Sequence, residues 1–315
     1  MNIAIITPAA ASTLGGNRNT AQRWARWLRE LGHRARVQAG WDGGRADAMI
    51  ALHARKSFES IKKFSVLQPD QPLILCLTGT DLYRDIKTDA SARESLQLAG
   101  RIIVLQEMGL QELPPELRRK TRVIYQSARP VNPTPPLKNC FEICVIGHLR
   151  EEKDPFRCVM ALKHLPPSSH IRVCHMGRAM SDEMEKEAQR WMAREPRYQW
   201  LGEIPRRQVR RRLARSRAMV ISSRMEGGAN VISEALMARV PIIASSIRGN
   251  IGMLGADYSG YYPLEDECRL ALLLQRVESD SAFRRLLNRQ CKKRLPLIQE
   301  KTEKNSLKRL LAELN

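Results

Sequence analysis

Two glutamates with seven residues between them, Glu226 and Glu234, bracket the segment Gly227-Gly228-Ala229-Asn230-Val231. An apolar run ending near Ser222 precedes the segment and a helical apolar pattern follows it, so it reads as a strand-to-helix turn. Glycines at such a turn let backbone N–H groups approach a phosphate, and the helix start adds about half a positive charge. Glu234, about one turn into the helix, comes within reach of a ribose diol. Glu226, in the loop, can accept hydrogen bonds from sugar hydroxyls.

Other segments carry weaker signals. Gly15-Gly16-Asn17-Arg18 follows an apolar run and precedes a helical pattern, which suits either a phosphate-facing loop or a plain turn; it is not a complete Gly-x-Gly-x-x-Gly fingerprint. His53 ends a predicted strand, where ligands bind in parallel α/β sheets, although a lone histidine is more often structural. Thr78-Gly79-Thr80-Asp81-Leu82 ends another, and Asp81 is suited to binding an acceptor, ordering the loop or capping the next helix. Seven arginines lie between Arg206 and Arg217 on a predicted helix with Val209 and Leu213 as its apolar stripe. That helix is either an ordinary Arg-rich surface or a contact for anionic lipid or nucleic acid; no aromatics interleave as single-strand binding would want. Cys140, Cys144 and His148 fall on a predicted strand whose four-residue steps span about 13 Å, too far to close on one zinc ion. With no Asp-x-Asp pair either, no metal and no cofactor is expected.

The elements that position these residues alternate along the chain. Predicted strands at 2–7, 33–39, 47–52, 72–78, 101–105 and 122–126 are separated by amphipathic segments, the pattern of a parallel sheet flanked by helices. Trp24 and Trp27, on the first helix, read as packing residues. Three prolines between Val131 and Pro136 break the pattern, and the linker is placed there. The alternation then restarts, with strands predicted at 141–147, 171–176, 198–201, 218–222 and 241–244. Residues 1–134 are expected to form an acceptor-side domain and 137–295 a nucleotide-sugar-binding domain, both doubly wound and Rossmann-like. A helical tail, 296–315, is expected to pack back across the linker, the whole stretch 281–314 being helical.

Lys and Arg number 53 against 33 Asp and Glu, a formal net charge of +20, which predicts affinity for anions without naming one. The seven cysteines fall mostly in apolar runs and suit a reducing, cytoplasmic setting. The opening residues lack the basic stretch of a secretory leader, and no apolar run approaches the ~20 residues that cross a bilayer.

The Glu226–Glu234 segment and the following Val240-Pro241-Ile242-Ile243-Ala244 resemble the Glu-(seven residues)-Glu signature of family 4 glycosyltransferases. Gly147-His148-Leu149-Arg150-Glu151-Glu152-Lys153 resembles that family's Gly-Arg-Leu-x-x-x-Lys segment, with His148 standing where Arg is expected. The resemblance implies a GT-B fold, two Rossmann-like domains facing a central cleft that takes a nucleotide-sugar. It implies that Glu226 contacts the donor sugar near the scissile bond, that Glu234 holds the ribose, and that Lys153 with Arg150 neutralises the departing diphosphate. It also places His53 near the reacting sugar carbon. The competing reading of residues 150–153 is an ordinary solvated turn.

Thr78–Asp85, Val104–Glu107, Gly147–Phe156 and Ser223–Val231 together are similar to a narrower group, the selenosugar synthases of selenoneine biosynthesis. That likeness implies attack of selenophosphate on a UDP-sugar such as UDP-N-acetylglucosamine, releasing UDP and phosphate. Arg55, Lys56, Thr80, Asp81 and Arg248 are the candidates for the acceptor side. Gly15, Gly16, His148 and residues 227–231 are the candidates for the donor side. The alternatives are a family 4 transferase using a hydroxyl acceptor, a nucleotide-sugar sensor without turnover, and a basic binder of nucleic acid or membrane surface. No nucleic-acid partner and no stable membrane insertion is expected, weak surface contact apart.

Overall fold

The computed structural model describes residues 1–8 and 15–314. Residues Ala9 to Leu14 fall outside them. The chain forms two compact units: Met1–Ser127 with Glu226–Asn230 and Leu297–Asn315, and Ala128–Met225 with Val231–Pro296.

The first unit holds a parallel six-stranded sheet of β1 (Asn2–Ile6), β2 (Arg34–Gln38), β3 (Ala48–Leu52), β4 (Leu73–Cys76), β5 (Arg101–Val104) and β6 (Thr121–Val123). Their order is β2-β1-β3-β4-β5-β6. Central strands β3 and β4 are buried along their whole length, as apolar strands covered on both faces must be. One face packs on helix Gly16–Glu30, whose Trp24 and Trp27 are core residues, and on Leu307, Leu310 and Leu311 of helix Glu300–Ala312. The other face packs on Phe64 and Ile61 of helix Phe58–Leu67 and on Trp41.

The second unit repeats the plan with β7 (Phe141–Ile146), β8 (Ile171–Met176), β9 (Tyr198–Trp200), β10 (Ala218–Ile221), β11 (Ile242–Ser245) and β12 (Tyr261–Tyr262), ordered β12-β11-β10-β7-β8-β9. The strand order reverses between β7 and β10, which pair directly. In an open parallel sheet such a reversal leaves a crevice beyond the carboxyl ends of the two strands. The corresponding reversal in the first sheet lies between β1 and β3.

Every predicted strand is present within two residues at either end, except that the sixth is cut to Thr121–Val123. The two-residue β12 was too short to give a periodic signal. The stretch 281–314, expected to be helical, is so nearly throughout, as three segments: helix Ser281–Arg294, a 3-10 turn at Leu295–Ile298 and helix Glu300–Ala312. Pro296 accounts for the break, since it has no N–H to donate to the preceding turn.

Candidate functional site

In the first unit, residues following β1, β3 and β4 meet. His53 leaves β3 with φ of 77°, a left-handed conformation uncommon for a non-glycine residue, and its ring is buried. Its Nε2 lies 3.1 Å from Thr80 Oγ1, and its Nδ1 accepts from the Lys56 N–H at 3.4 Å. Burial pushes the His53 pKa below its ordinary value, only partly opposed by Asp81 and Asp85, each with an oxygen 4.0 Å away. The ring is therefore neutral at pH 7, with the proton on Nε2.

Asp81 is fully buried and accepts three backbone N–H groups: Thr78 at 2.9 Å and Gly79 at 2.8 Å on Oδ1, Ala54 at 3.0 Å on Oδ2. Of the three roles open to it, loop ordering is the one its geometry serves. It pins the turn after β4 to the end of β3 and has no surface to offer an acceptor. Asp81–Asp85 forms one turn of π-helix, and Asp85 Oδ2 receives Arg55 Nε at 3.0 Å. Thr80 is half-buried against His53, while Arg55 and Lys56 are exposed.

Gly16 opens the first helix with Gly15 as its N-cap, and no side chain caps it. Next to it, Asn17 Nδ2 donates to Thr78 Oγ1 at 3.2 Å, and Asn230 Nδ2 lies 3.5 Å from where a Gly16 Cβ would stand. Glu226–Asn230 groups with this same unit. A Cβ on Gly227 would meet the Thr78 carbonyl at 2.4 Å, and one on Gly228 would meet Leu105 Cβ at 2.5 Å. The two glycines are thus required by close backbone packing on the turns after β4 and β5, a reason the motif alone did not give. Glu226 and Ala229 are buried, and Asn230 begins helix Asn230–Ala238.

In the second unit the turns after β7 and β10 face each other at the strand-order reversal. Ser222 Oγ donates to the carbonyls of Lys153 at 3.0 Å and Asp154 at 2.8 Å, and Arg224 N–H to Glu152 O at 2.9 Å. Asp154 completes the turn with φ of 43°. The Lys153 stem lies over Gly147, whose missing Cβ would be 3.9 Å from Cγ and Cδ. Arg150 is exposed, 4.0 Å from Glu152.

His148 Nδ1 accepts from the Arg178 N–H at 3.1 Å, so it serves to hold two turns side by side. A Gly177 Cβ would stand 1.9 Å from the Gly147 carbonyl oxygen, which is how closely those turns approach. Beneath them the buried His175 lies 3.2 Å from Gly147 O through Nε2 and 3.0 Å from the Tyr198 hydroxyl through Nδ1. Burial pushes the His175 pKa down to about 4, so Nε2 carries the single proton and donates.

Glu234 is buried and paired with Arg206 at 2.9 Å, at the start of the Arg-rich helix Arg206–Arg215. Most of that helix's arginines are committed internally: Arg210 to the carbonyls of Arg129 and Pro130, Arg212 to Cys174 Sγ, and Arg215 through both nitrogens to Glu142. Val231 lies in the first turn of its helix, and Arg248 is exposed at the start of helix Arg248–Leu254. Arg206 and His175 are the site-supporting residues that sequence reasoning missed. Arg206 was hidden in a basic run, and nothing in the sequence marks His175.

Among the described residues no three His, Cys, Asp or Glu side chains gather as a metal site, and no helix is long and apolar enough to cross a membrane.

A family model described as glycosyl transferases group 1 matches residues 132–294, more than half of the chain. No curated protein matches. Among solved structures, the chain is similar to Anabaena HepE in complex with UDP and glucose, at TM-score 0.79 and 15% identity over 99% of this chain and 100% of that one. It is similar to sucrose-phosphate synthase from Thermosynechococcus elongatus, at TM-score 0.77 and 17% identity over 99% and 98%. It is also similar to the E. coli trehalose-6-phosphate structure bound with UDP-2-fluoro glucose, at TM-score 0.75 and 11% identity over 100% and 99%. At these identities the likeness establishes the fold, two parallel six-stranded sheets with flanking helices and a C-terminal helix, the GT-B class.

Proposed function

Since the chain belongs to the glycosyl transferases group 1 family, we propose that it moves a sugar from a UDP-sugar, UDP-N-acetylglucosamine being the leading candidate, to selenophosphate. The observation that carries the donor half is the pairing of the Gly147–Lys153 and Ser222–Arg224 turns where strand order reverses between β7 and β10. Two of the similar folds hold a uridine nucleotide in their structures.

In this reading the anomeric C–O bond breaks and UDP leaves with the electron pair. Lys153, Arg150 and the N–H groups opening helix Asn230–Ala238 draw off the charge that grows on the diphosphate, in place of a metal ion. Glu234, oriented by Arg206, takes the ribose hydroxyls. Glu226 takes the donor-sugar hydroxyls, and neutral His53 sits by the reacting carbon. Selenium supplies the new bond to that carbon, and water then cleaves Se–P to release phosphate. Selenium is a strong nucleophile once deprotonated, so no strong general base is required. Arg55, Lys56, Thr80 and Arg248 are proposed for the acceptor's phosphate. The seven unpaired thiols suit a reducing compartment, and the cytoplasm is the proposed one. The acceptor half rests on the sequence likeness of Thr78–Asp85 and Ser223–Val231 to selenosugar synthases.

The test incubates the protein with several UDP-sugars, with and without selenophosphate, and follows UDP by chromatography and selenium products by mass spectrometry. UDP release dependent on selenophosphate, with a selenium-bearing sugar, is expected. UDP release with a hydroxyl acceptor and none with selenophosphate would replace the acceptor assignment, and failure to bind any uridine nucleotide would overturn the donor assignment.

A further inference from the structure

The connection from β2 to β3, residues 39–47, contains no helix. Parallel sheets are normally covered on both faces by crossover helices, so a helix-free connection leaves one face of edge strand β2 open. Ala35 and Val37 pack on the face covered by helix Gly16–Glu30. The alternate positions Arg34, Arg36 and Gln38 take the opposite face. There the loop bearing Trp41, Asp42 and Arg45 bends over them, and together they line a cavity of about 240 Å3.

Three guanidinium groups, those of Arg34, Arg36 and Arg45, border this cavity; none makes a hydrogen bond or close ion pair with another described residue, and Arg36 is near enough to Asp42 to help lower its pKa. The one carboxylate present, Asp42, is held by the Gly44 N–H at 2.9 Å and by Gln38 Nε2 at 2.7 Å. Three positive charges against one negative repel each other across a concave wall, a cost that a bound anion relieves. Charge on an edge strand also deters strand pairing. That role needs no cavity, and it leaves Arg45, which lies off the strand, unexplained.

We propose that this cavity is a second ligand site that takes a small phosphorylated molecule. The planar forks of Arg34, Arg36 and Arg45 match phosphate oxygens, while Asp42 and Gln38 receive a neighbouring hydroxyl. The volume falls below the ~300 Å3 at which sites for drug-sized ligands begin, which suits a molecule of sugar-phosphate size. Built on β2 and the loop after it, the site uses none of the residues assigned to the UDP-sugar or to selenophosphate.

The probes are glucose 6-phosphate, inorganic phosphate and uncharged glucose, titrated calorimetrically into the full chain at low salt in a phosphate-free buffer. Glucose 6-phosphate is expected to bind, and glucose is not. Affinity should fall at least tenfold in Arg34→Gln/Arg36→Gln and in the loop variant Arg45→Gln, and stay unchanged in Lys153→Gln. Absence of binding by both phosphate probes, or binding indifferent to all three arginines, would overturn the site. Loss of binding in Lys153→Gln would also overturn it, by placing the probe at the nucleotide turns. Equal affinity for inorganic phosphate and glucose 6-phosphate would remove the hydroxyl contact from the proposal.

Discussion

Burial between the Tyr198 hydroxyl and the Gly147 carbonyl decides the charge of His175. Its folded pKa of about 4 lies below the ordinary 6.5, so the unfolded chain binds the proton first as pH falls. Stability present above pH 6.5 is therefore lost as pH drops toward 4, by about 3 kcal/mol over the window. Urea denaturation at pH 7, 5.5 and 4 checks this: His175→Gln should flatten the acid limb relative to the unsubstituted protein. At the same scale, with Lys153 in the role proposed for it beside the diphosphate, Lys153→Gln should lower the rate of UDP release by about 10²- to 10³-fold. Circular dichroism should be unchanged, because the backbone of Lys153, rather than its ammonium, binds Ser222. Asp81 shows the limit of reading single residues. Its type and position allowed three roles, and only the convergence of three N–H groups from two separate turns selects loop ordering.

Turns set the geometry at the scale of elements, and glycines set the turns. Gly177 combines φ of 155° with a neighbouring carbonyl 1.9 Å from any Cβ, so Gly177→Ala must push the β7 and β8 turns apart. A loss of about 3 kcal/mol or more is expected, read as a lowered thermal midpoint. Glu234 and Arg206 form a second coupling, between helices Asn230–Ala238 and Arg206–Arg215. With Glu234 in the ribose-binding role proposed for it, Arg206→Ala should raise KM for the UDP-sugar severalfold with a smaller change in kcat, and Arg206→Lys should restore part of it. The strands were legible because alternating apolar runs state their own period. The Glu226–Glu234 turn was legible because its residue types are specific. Gly177 and Arg206 were not, since their partners, Gly147 and Glu234, lie about thirty residues away and no local pattern links them.

Glu303 ties the last helix to the first unit at the scale of the whole molecule. Its buried carboxylate receives Arg23 Nε and NH2, Trp24 Nε1 at 2.7 Å and the Ser127 N–H. Glu303→Ala would strand the partly buried Arg23 and two further donors, and a loss of about 3–5 kcal/mol is expected from chemical denaturation. The helical tail was readable from its periodicity. Its seat was not, because Arg23 and Glu303 are 280 residues apart in the chain. That separation also dictates an order of events during synthesis. The sheet made first lacks part of its covering until Leu307, Leu310 and Leu311 arrive, whereas Ala128–Pro296 supplies nearly all of the second sheet's own core beforehand. A released chain truncated after Pro296 should therefore carry a protease-resistant second half behind a first half that is still cleaved, the reverse of the usual N-terminal-first order of folding.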